Sequence, residues 1–472
     1  MERDIVGKRP NYRPARARAN PYRIMLWISL ILLGIWLLLG IQRGRVEPLF
    51  EPTPTPTRTA GSYVQEAQAY FQAGKLDDPD SPQPAPPRPD AIDTYQRALD
   101  MDPTDAGAWA EKARIQTYSI TMLSNDADRL ERLEQALESI NKAVELNPDN
   151  SDIHAIRAFV LDWYASSPLL SDERRQELLL EAESEAVRAY GLEPENGLAL
   201  AFYAEVLLDQ QKWSQAEQNA AKAISIAPDS MDAHRVYATV LESLGQYRSA
   251  IEQYLNAAEI SPNLTFLYVY VGRNYLSLRL YERALEYYAR AAEINKQLGV
   301  KNPIPNLEIA KTYAQQGEFF IAARNAETAL GFDPTNANTY GQLGIIYIHS
   351  RNYEGAQPML KCAVRGCTAE ENEVGQAAVQ GLQLTNLTVA YYYVEYGTVL
   401  AFLSRPNQNF CPEARQVLRE VRAAYPDDEI LMSIVADSEG ICNQLDSGSA
   451  PEEAPTSTPD MMMETTPVPS SP

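Results

Sequence analysis

Histidine and cysteine are scarce in this chain, with three of one and four of the other. The histidines, His154, His234 and His349, are isolated, and no C-x-x-C pair occurs. A zinc site of the usual spacing is therefore excluded, no metal or cofactor is expected, and the histidines read as structural. Catalytic signatures are missing as well. There is no G-x-S-x-G, no G-x-x-x-x-G-K, no H-E-x-x-H and no glycine-rich dinucleotide loop. Carboxylate pairs such as Asp77-Asp78 and Asp427-Asp428 read as helix starts and solvated turns. The chain is not expected to be an enzyme. Basic charge is also in short supply, 41 Lys and Arg against 63 Asp and Glu, for a net charge of −22. The first 23 residues carry seven basic side chains against Glu2 and Asp4, a balance of +5, so the remainder stands at −27. A body that acidic repels nucleic acid and anionic lipid, so no nucleic-acid partner is expected.

Uncharged runs are rare but one is long. Residues 24–41, IMLWISLILLGIWLLLGI, hold eighteen uncharged residues between Arg23 and Arg43. At about 1.5 Å per residue they reach roughly 27 Å as a helix, close to the hydrocarbon thickness of a bilayer. A cleavable signal peptide is the alternative, but Gly40-Ile41-Gln42-Arg43 lacks a small-residue cleavage site, and an uncleaved anchor is the expectation. The basic excess before the run puts residues 1–23 in the cytoplasm and everything after the span outside it, in the periplasm or on the cell surface if the source is bacterial. Residues 42–61, with Pro52-Thr53-Pro54-Thr55-Pro56-Thr57, form an extended linker, and residues 446–472, rich in Ser, Thr, Pro, acids and Met, an unfolded tail.

Between these flanks a 34-residue step dominates. Ala182, Ala216, Ala250 and Ala284 are each 34 apart, as are Ala189, Ala223, Ala257 and Ala291, and Pro194, Pro228 and Pro262. A fixed period of that length marks one supersecondary unit stacked many times. Within residues 197–230 apolar residues recur at three and four, giving two amphipathic helices broken near Gln210–Trp213 and ended by Pro228. Nine units and a closing helix at 428–441 are expected within 62–445. The additions at 77–89, 119–129 and 166–175 fall between the two helices of a unit, and 368–384 carries no repeat mark. Cys411 opens one helix and Cys442 closes the next antiparallel one, while Gly366 permits a turn between Cys362 and Cys367. Two bridges are expected, with four reduced, buried thiols as the alternative.

In residues 231–262 the marks are His234, Tyr237-Ala238, Leu241, Ala250, Tyr254, Ala257 and Pro262; in 337–363 they are Tyr340, Leu343-Gly344, Tyr347, Ala356, Leu360 and Ala363. This pattern resembles the tetratricopeptide repeat family. The resemblance implies an all-α, right-handed solenoid of helix-turn-helix repeats, whose first helices line a concave groove that binds a protein or peptide. Carried over, it makes Arg235, Tyr270, Arg273 and Lys311 the partner-binding candidates, with Glu205, Asp232, Thr239, Ser277 and His349 beside them. Arg235, Arg273 and Lys311 come from consecutive units and read either as a cationic strip for a partner's carboxylates or as an offset to neighbouring acids. Function is thus expected to be that of a membrane-anchored scaffold. The alternative is an architectural protein that self-associates as a homo-oligomer.

Overall fold

The computed structural model describes residues 20–42, 58–77 and 89–447, and the chain divides into two units, Met1–Arg58 and Thr59–Pro472. The basic segment 1–19, most of the linker and the tail from 448 lie outside the described residues. The first unit holds helix α1 (Pro21–Gln42), whose large apolar side chains from Ile24 to Trp36 are exposed. Counted over the described residues, no helix is long and apolar enough to cross a membrane. The described side chains of α1 run unbroken only from 21 to 36. The expected span at 24–41 therefore rests on its sequence and is not shown.

The second unit is helical, and among the described residues its only β-pairing is two isolated bridges. Its helices come in hairpins: α2 (Ala60–Gln72) with α3 (Ala91–Met101), α4 (Ala106–Ser119) with α5 (Asp126–Leu146), α6 (Ser151–Ala165) with α7 (Asp172–Leu192), and α8 (Gly197–Asp209) with α9 (Trp213–Ile226). There follow α10 (Met231–Ser243) with α11 (Tyr247–Ile260), α12 (Thr265–Ser277) with α13 (Tyr281–Leu298), α14 (Ile304–Gln315) with α15 (Phe319–Phe332), α16 (Ala337–His349) with α17 (Tyr353–Arg365), and α18 (Leu387–Leu403) with α19 (Cys411–Ala424). Helix α20 (Glu429–Ser447) closes the array, longer than the expected 428–441.

Each hairpin is set by a few local rules. The break expected near Gln210–Trp213 is a turn in which Gln211 takes a left-handed φ of 61°; Gly245 and Gly317 hold the matching places at 73° and 78°, where glycine costs least. First helices start on caps: the side chains of Asp105, Asn150, Ser230 and Asn336 each accept from the backbone N–H three residues on. The proline two residues before each of these caps ends the preceding helix, and its carbonyl is taken up again. Trp109 Nε1 donates to Pro103 O at 3.0 Å, His234 Nε2 to Pro228 O at 2.9 Å and Tyr340 Oη to Pro334 O at 2.9 Å. His154 Nε2 does the same to Pro148 O at 2.8 Å, so these two histidines serve the turns.

The repeated small residues are contact points. Ala216, Ala250 and Ala284 are fully buried, and Gly272 on α12 lies directly against the ring of buried Tyr288 on α13. A methyl group on Gly272 would overlap that ring. Cys411 is bonded to Cys442 with Cα atoms 5.6 Å apart, tying α19 to α20, and Cys362 to Cys367 with Cα atoms 4.8 Å apart around Gly366. The unmarked segment 368–384 is an ordered loop: Cys367 pairs with Val379 through two backbone hydrogen bonds, and Asn372 Nδ2 donates to Tyr340 Oη at 2.6 Å.

Gly272→Ala is expected to lower stability by about 1–2 kcal/mol. Overpacking of about 1–3 kcal/mol outweighs the up to about 1 kcal/mol that alanine gains in a helix. The urea midpoint measures it, and an unchanged or higher midpoint would contradict the packing described.

Candidate functional site

The groove expected along the first helices is filled by the protein itself over the first six hairpins. Its centre is Arg235 on α10, 1 % exposed. The guanidinium forks onto Glu205 of α8, Nη1 to Oε1 at 2.6 Å and Nη2 to Oε2 at 2.7 Å, while its Nε donates to Tyr118 Oη of α4 at 3.0 Å. Its Cζ lies 5.4 Å from the ring centres of Tyr118 and Phe159 and 5.6 Å from that of Trp163. Trp163 Nε1 donates to Glu205 at 3.1 Å, and Tyr118 Oη donates to Asp232, which also accepts from Arg114 at 3.0 Å. Phe159 stacks on Phe202 at 4.4 Å, and Tyr118 on Phe266 at 5.4 Å. The first helices α4, α6, α8, α10 and α12 thus meet around one charged, aromatic centre.

Burial dominates the electrostatics here. It pushes the Tyr118 hydroxyl well above its usual pKa. Burial opposes the charge on Arg235, but Glu205 and Tyr118 hold its pKa well above the ordinary value. Asp162, at the end of α6, is 1 % exposed, and neither of its carboxylate oxygens has a hydrogen-bond partner among the described residues. Burial, then the like charges of Asp209 and Glu205, raise it well above the usual carboxylate range.

The four partner-binding candidates do not form one strip. Arg235 lies four residues after the start of its helix at Met231, whereas Arg273 lies eight after Thr265, about one helical turn further along. Arg235 is inside and paired, which corrects its expected exposure. Tyr270 is half-buried, in ring contact with Tyr254 at 5.3 Å and Phe266 at 5.8 Å. Arg273 and Lys311 both turn to buried Glu308, at 2.9 and 3.5 Å. Burial raises that carboxyl, but Lys311 and Arg273 together hold it down to about 2. These cations offset an acid of the chain's own. Sequence reasoning missed Tyr118, Arg114 and Trp163; the one available signal was aromatic residues in the same inner register as Phe202.

Space remains at one edge. A cavity of about 570 Å³ is lined by the ends of the first connection at Asp77 and Pro89, by Ser119–Ser124 and α5, by Leu298–Pro303, and by the turn Phe332–Thr335. Across its rim Ser124 Oγ donates to Asp333 Oδ2 at 2.6 Å, and Asn336 Nδ2 donates to Ser124 Oγ at 2.8 Å.

Helical hairpins of this length, stacked with small residues at their crossings, define a helical-repeat array. Tetratricopeptide repeat profiles match residues 121–150, 203–264 and 267–298, so those segments carry tetratricopeptide repeats. No curated protein matches it. Among solved structures, a thermophilic tetratricopeptide repeat protein of Thermus thermophilus is 20 % identical, over 47 % of this chain and 99 % of that one, with a TM-score of 0.36. A tetratricopeptide repeat protein of Parabacteroides merdae is 16 % identical over 61 % and 98 %, with a TM-score of 0.35. The APC/C hetero-tetramer Cut9–Hcn1 is 16 % identical over 80 % and 76 %, with a TM-score of 0.44. These are likenesses of fold, and no ligand is taken from them.

Two outcomes are expected from the filled groove. Arg235→Ala should destabilise by about 3–5 kcal/mol, because it strands Glu205 uncompensated, while Arg235→Met with Glu205→Leu should be far milder. A ligand-facing arginine would leave the thermal midpoint almost unmoved. For Asp162 the folded pKa is raised, so its contribution to stability is full below the unfolded value near 4 and is lost as pH rises above it. Asp162→Asn should therefore gain on the native chain by up to about 1.4 kcal/mol per pH unit above about pH 4. A difference that stays flat from pH 4 to 7 would mean that Asp162 ionises normally.

Proposed function

We propose that this protein is a membrane-tethered scaffold whose repeat domain lies outside the cytoplasm and holds a protein or peptide partner. One juxtaposition carries the reading: an uncharged eighteen-residue run behind a basic segment, joined to a repeat array whose four cysteines are all in disulfides. The run supports a tether because its helix α1 exposes large apolar side chains from Ile24 to Trp36. The disulfides support export, since such bonds persist in oxidising compartments. The repeats support binding because stacked hairpins present an extended side-chain surface, and in the resembled family that surface takes protein or peptide partners. The filled inner groove moves the contact to the edges and outer face of the array.

Alkaline carbonate extraction of host membranes, followed by protease treatment of intact cells or spheroplasts, tests the tether and the side. The chain is expected to stay in the membrane pellet and to be cut from outside, leaving a short protected N-terminal fragment. Release by carbonate, or full protection of the repeats in intact spheroplasts, would overturn the topology. Sedimentation of the full chain in detergent across concentrations distinguishes a monomer that captures another protein from a scaffold that assembles with itself.

A further inference from the structure

Two asparagine-x-threonine triplets occur in the chain, Asn263-Leu264-Thr265 and Asn386-Leu387-Thr388, and no other asparagine stands two residues before a serine or threonine. In an exported chain such a triplet is the acceptor for an asparagine-linked oligosaccharide. A motif this short also arises by chance, so the fold around each triplet decides its use.

The fold closes the first triplet. Asn263 lies in the turn between α11 and α12, and its Nδ2, the atom that takes the sugar, donates to Gln72 O of the first hairpin at 3.1 Å. Gly74 lies directly against the same asparagine. Leu264 and Thr265 are buried, and Thr265 Oγ1 donates to Asn295 Oδ1 at 3.0 Å. A sugar on Asn263 would break a contact between distant hairpins.

The second triplet is presented. Asn386, Leu387 and Thr388 are all exposed. Asn386 is the N-cap of α18, with extended backbone, and its Oδ1 accepts from Val389 N at 3.0 Å. Its Nδ2 has no partner among the described residues. A sugar on Nδ2 leaves Oδ1 to accept, so the modified side chain still caps the helix. Other asparagine caps spend this group inside the array: Asn196 Nδ2 donates to Ser151 Oγ at 3.0 Å and Asn336 Nδ2 to Ser124 Oγ at 2.8 Å. The approach to Asn386 is fixed at Leu382, whose N–H donates to Ala363 O and whose carbonyl accepts from Tyr393 Oη, both at 2.8 Å.

We infer that Asn386 is a glycosylation site, taking an oligosaccharide from a polyprenyl-diphosphate-linked donor. Nδ2 bonds to the anomeric carbon of the first sugar, the bond from that carbon to the diphosphate oxygen breaks with its electron pair leaving on the diphosphate, and Nδ2 loses one proton. The inference rests on the reading that the repeats lie outside the cytoplasm.

Peptide mass spectrometry of the full chain purified from its own host tests it. The peptide holding Asn386 is expected to carry a sugar mass that fragmentation places on that residue, and the peptide holding Asn263 none. Asn386→Gln should remove the added mass. Thr388→Val, which leaves the cap in place, should remove it as well, and Thr388→Ser should keep it. A bare Asn386, sugar on Asn263 instead, or sugar that survives Thr388→Val would overturn the inference. If Asn386 is bare while protease still cuts the repeats from outside, the export reading stands and the glycosylation site alone is excluded.

Discussion

The fork between Arg235 and Glu205 is the contact on which the inside of the array depends. A guanidinium carries five donors and cannot shed its proton, so inside a protein it is tolerated only where carboxylates meet it. Here Glu205 takes two of its donors and Tyr118 a third. Asp232 and Arg114 form a second opposed pair next to it, so the charges of this centre cancel. Asp162 is the acid left over, and its raised pKa follows from that surplus in a dry interior. The aromatic rings around the fork supply the bulk that brings the first helices α4, α6, α8, α10 and α12 together, and the fork fixes their register by its planar geometry.

How much of this can be read from sequence follows from the range of each interaction. The hairpins are legible because their determinants recur locally: a cap, a proline two residues before it, a small residue at each crossing, a left-handed turn residue. Even Gln211, which lacks the glycine its turn favours, sits at the break that apolar periodicity indicates. The disulfide partners are legible too, because Cys411 and Cys442 fall at neighbouring ends of adjacent helices. The groove is another matter. Arg114 meets Asp232 across 118 positions, and Ser124 meets Asp333 across 209. No periodicity couples such residues, since their meeting depends on how tightly the whole array curves. Reading Arg235, Arg273 and Lys311 as one strip assumed equal places on their helices, and one turn of offset puts the first inside and the others at the edge.

Tight curvature also explains why the irregular connections matter. In an open solenoid each unit touches only its neighbours, and stability is a sum over units and nearest interfaces. This array breaks that description at several places: the charged centre between the second and fifth hairpins, the rim contact between Ser124 and the turn before α16, and Asn263 Nδ2 donating to Gln72 O at 3.1 Å from the sixth hairpin's approach to the first. The first two come from the second hairpin, Arg114 and Tyr118 from its first helix and Ser124 from its additional residues. Distant hairpins therefore stabilise one another, and fraying one end removes contacts at the middle of the chain. The cavity lined by Asp77 and Asp90, by Ser119–Ser124, by Leu298–Pro303 and by Phe332–Thr335 lies between segments coupled in this way. A molecule seated there would touch the first, second, sixth and seventh hairpins together, and so would stabilise their mutual contacts as well as fill local space.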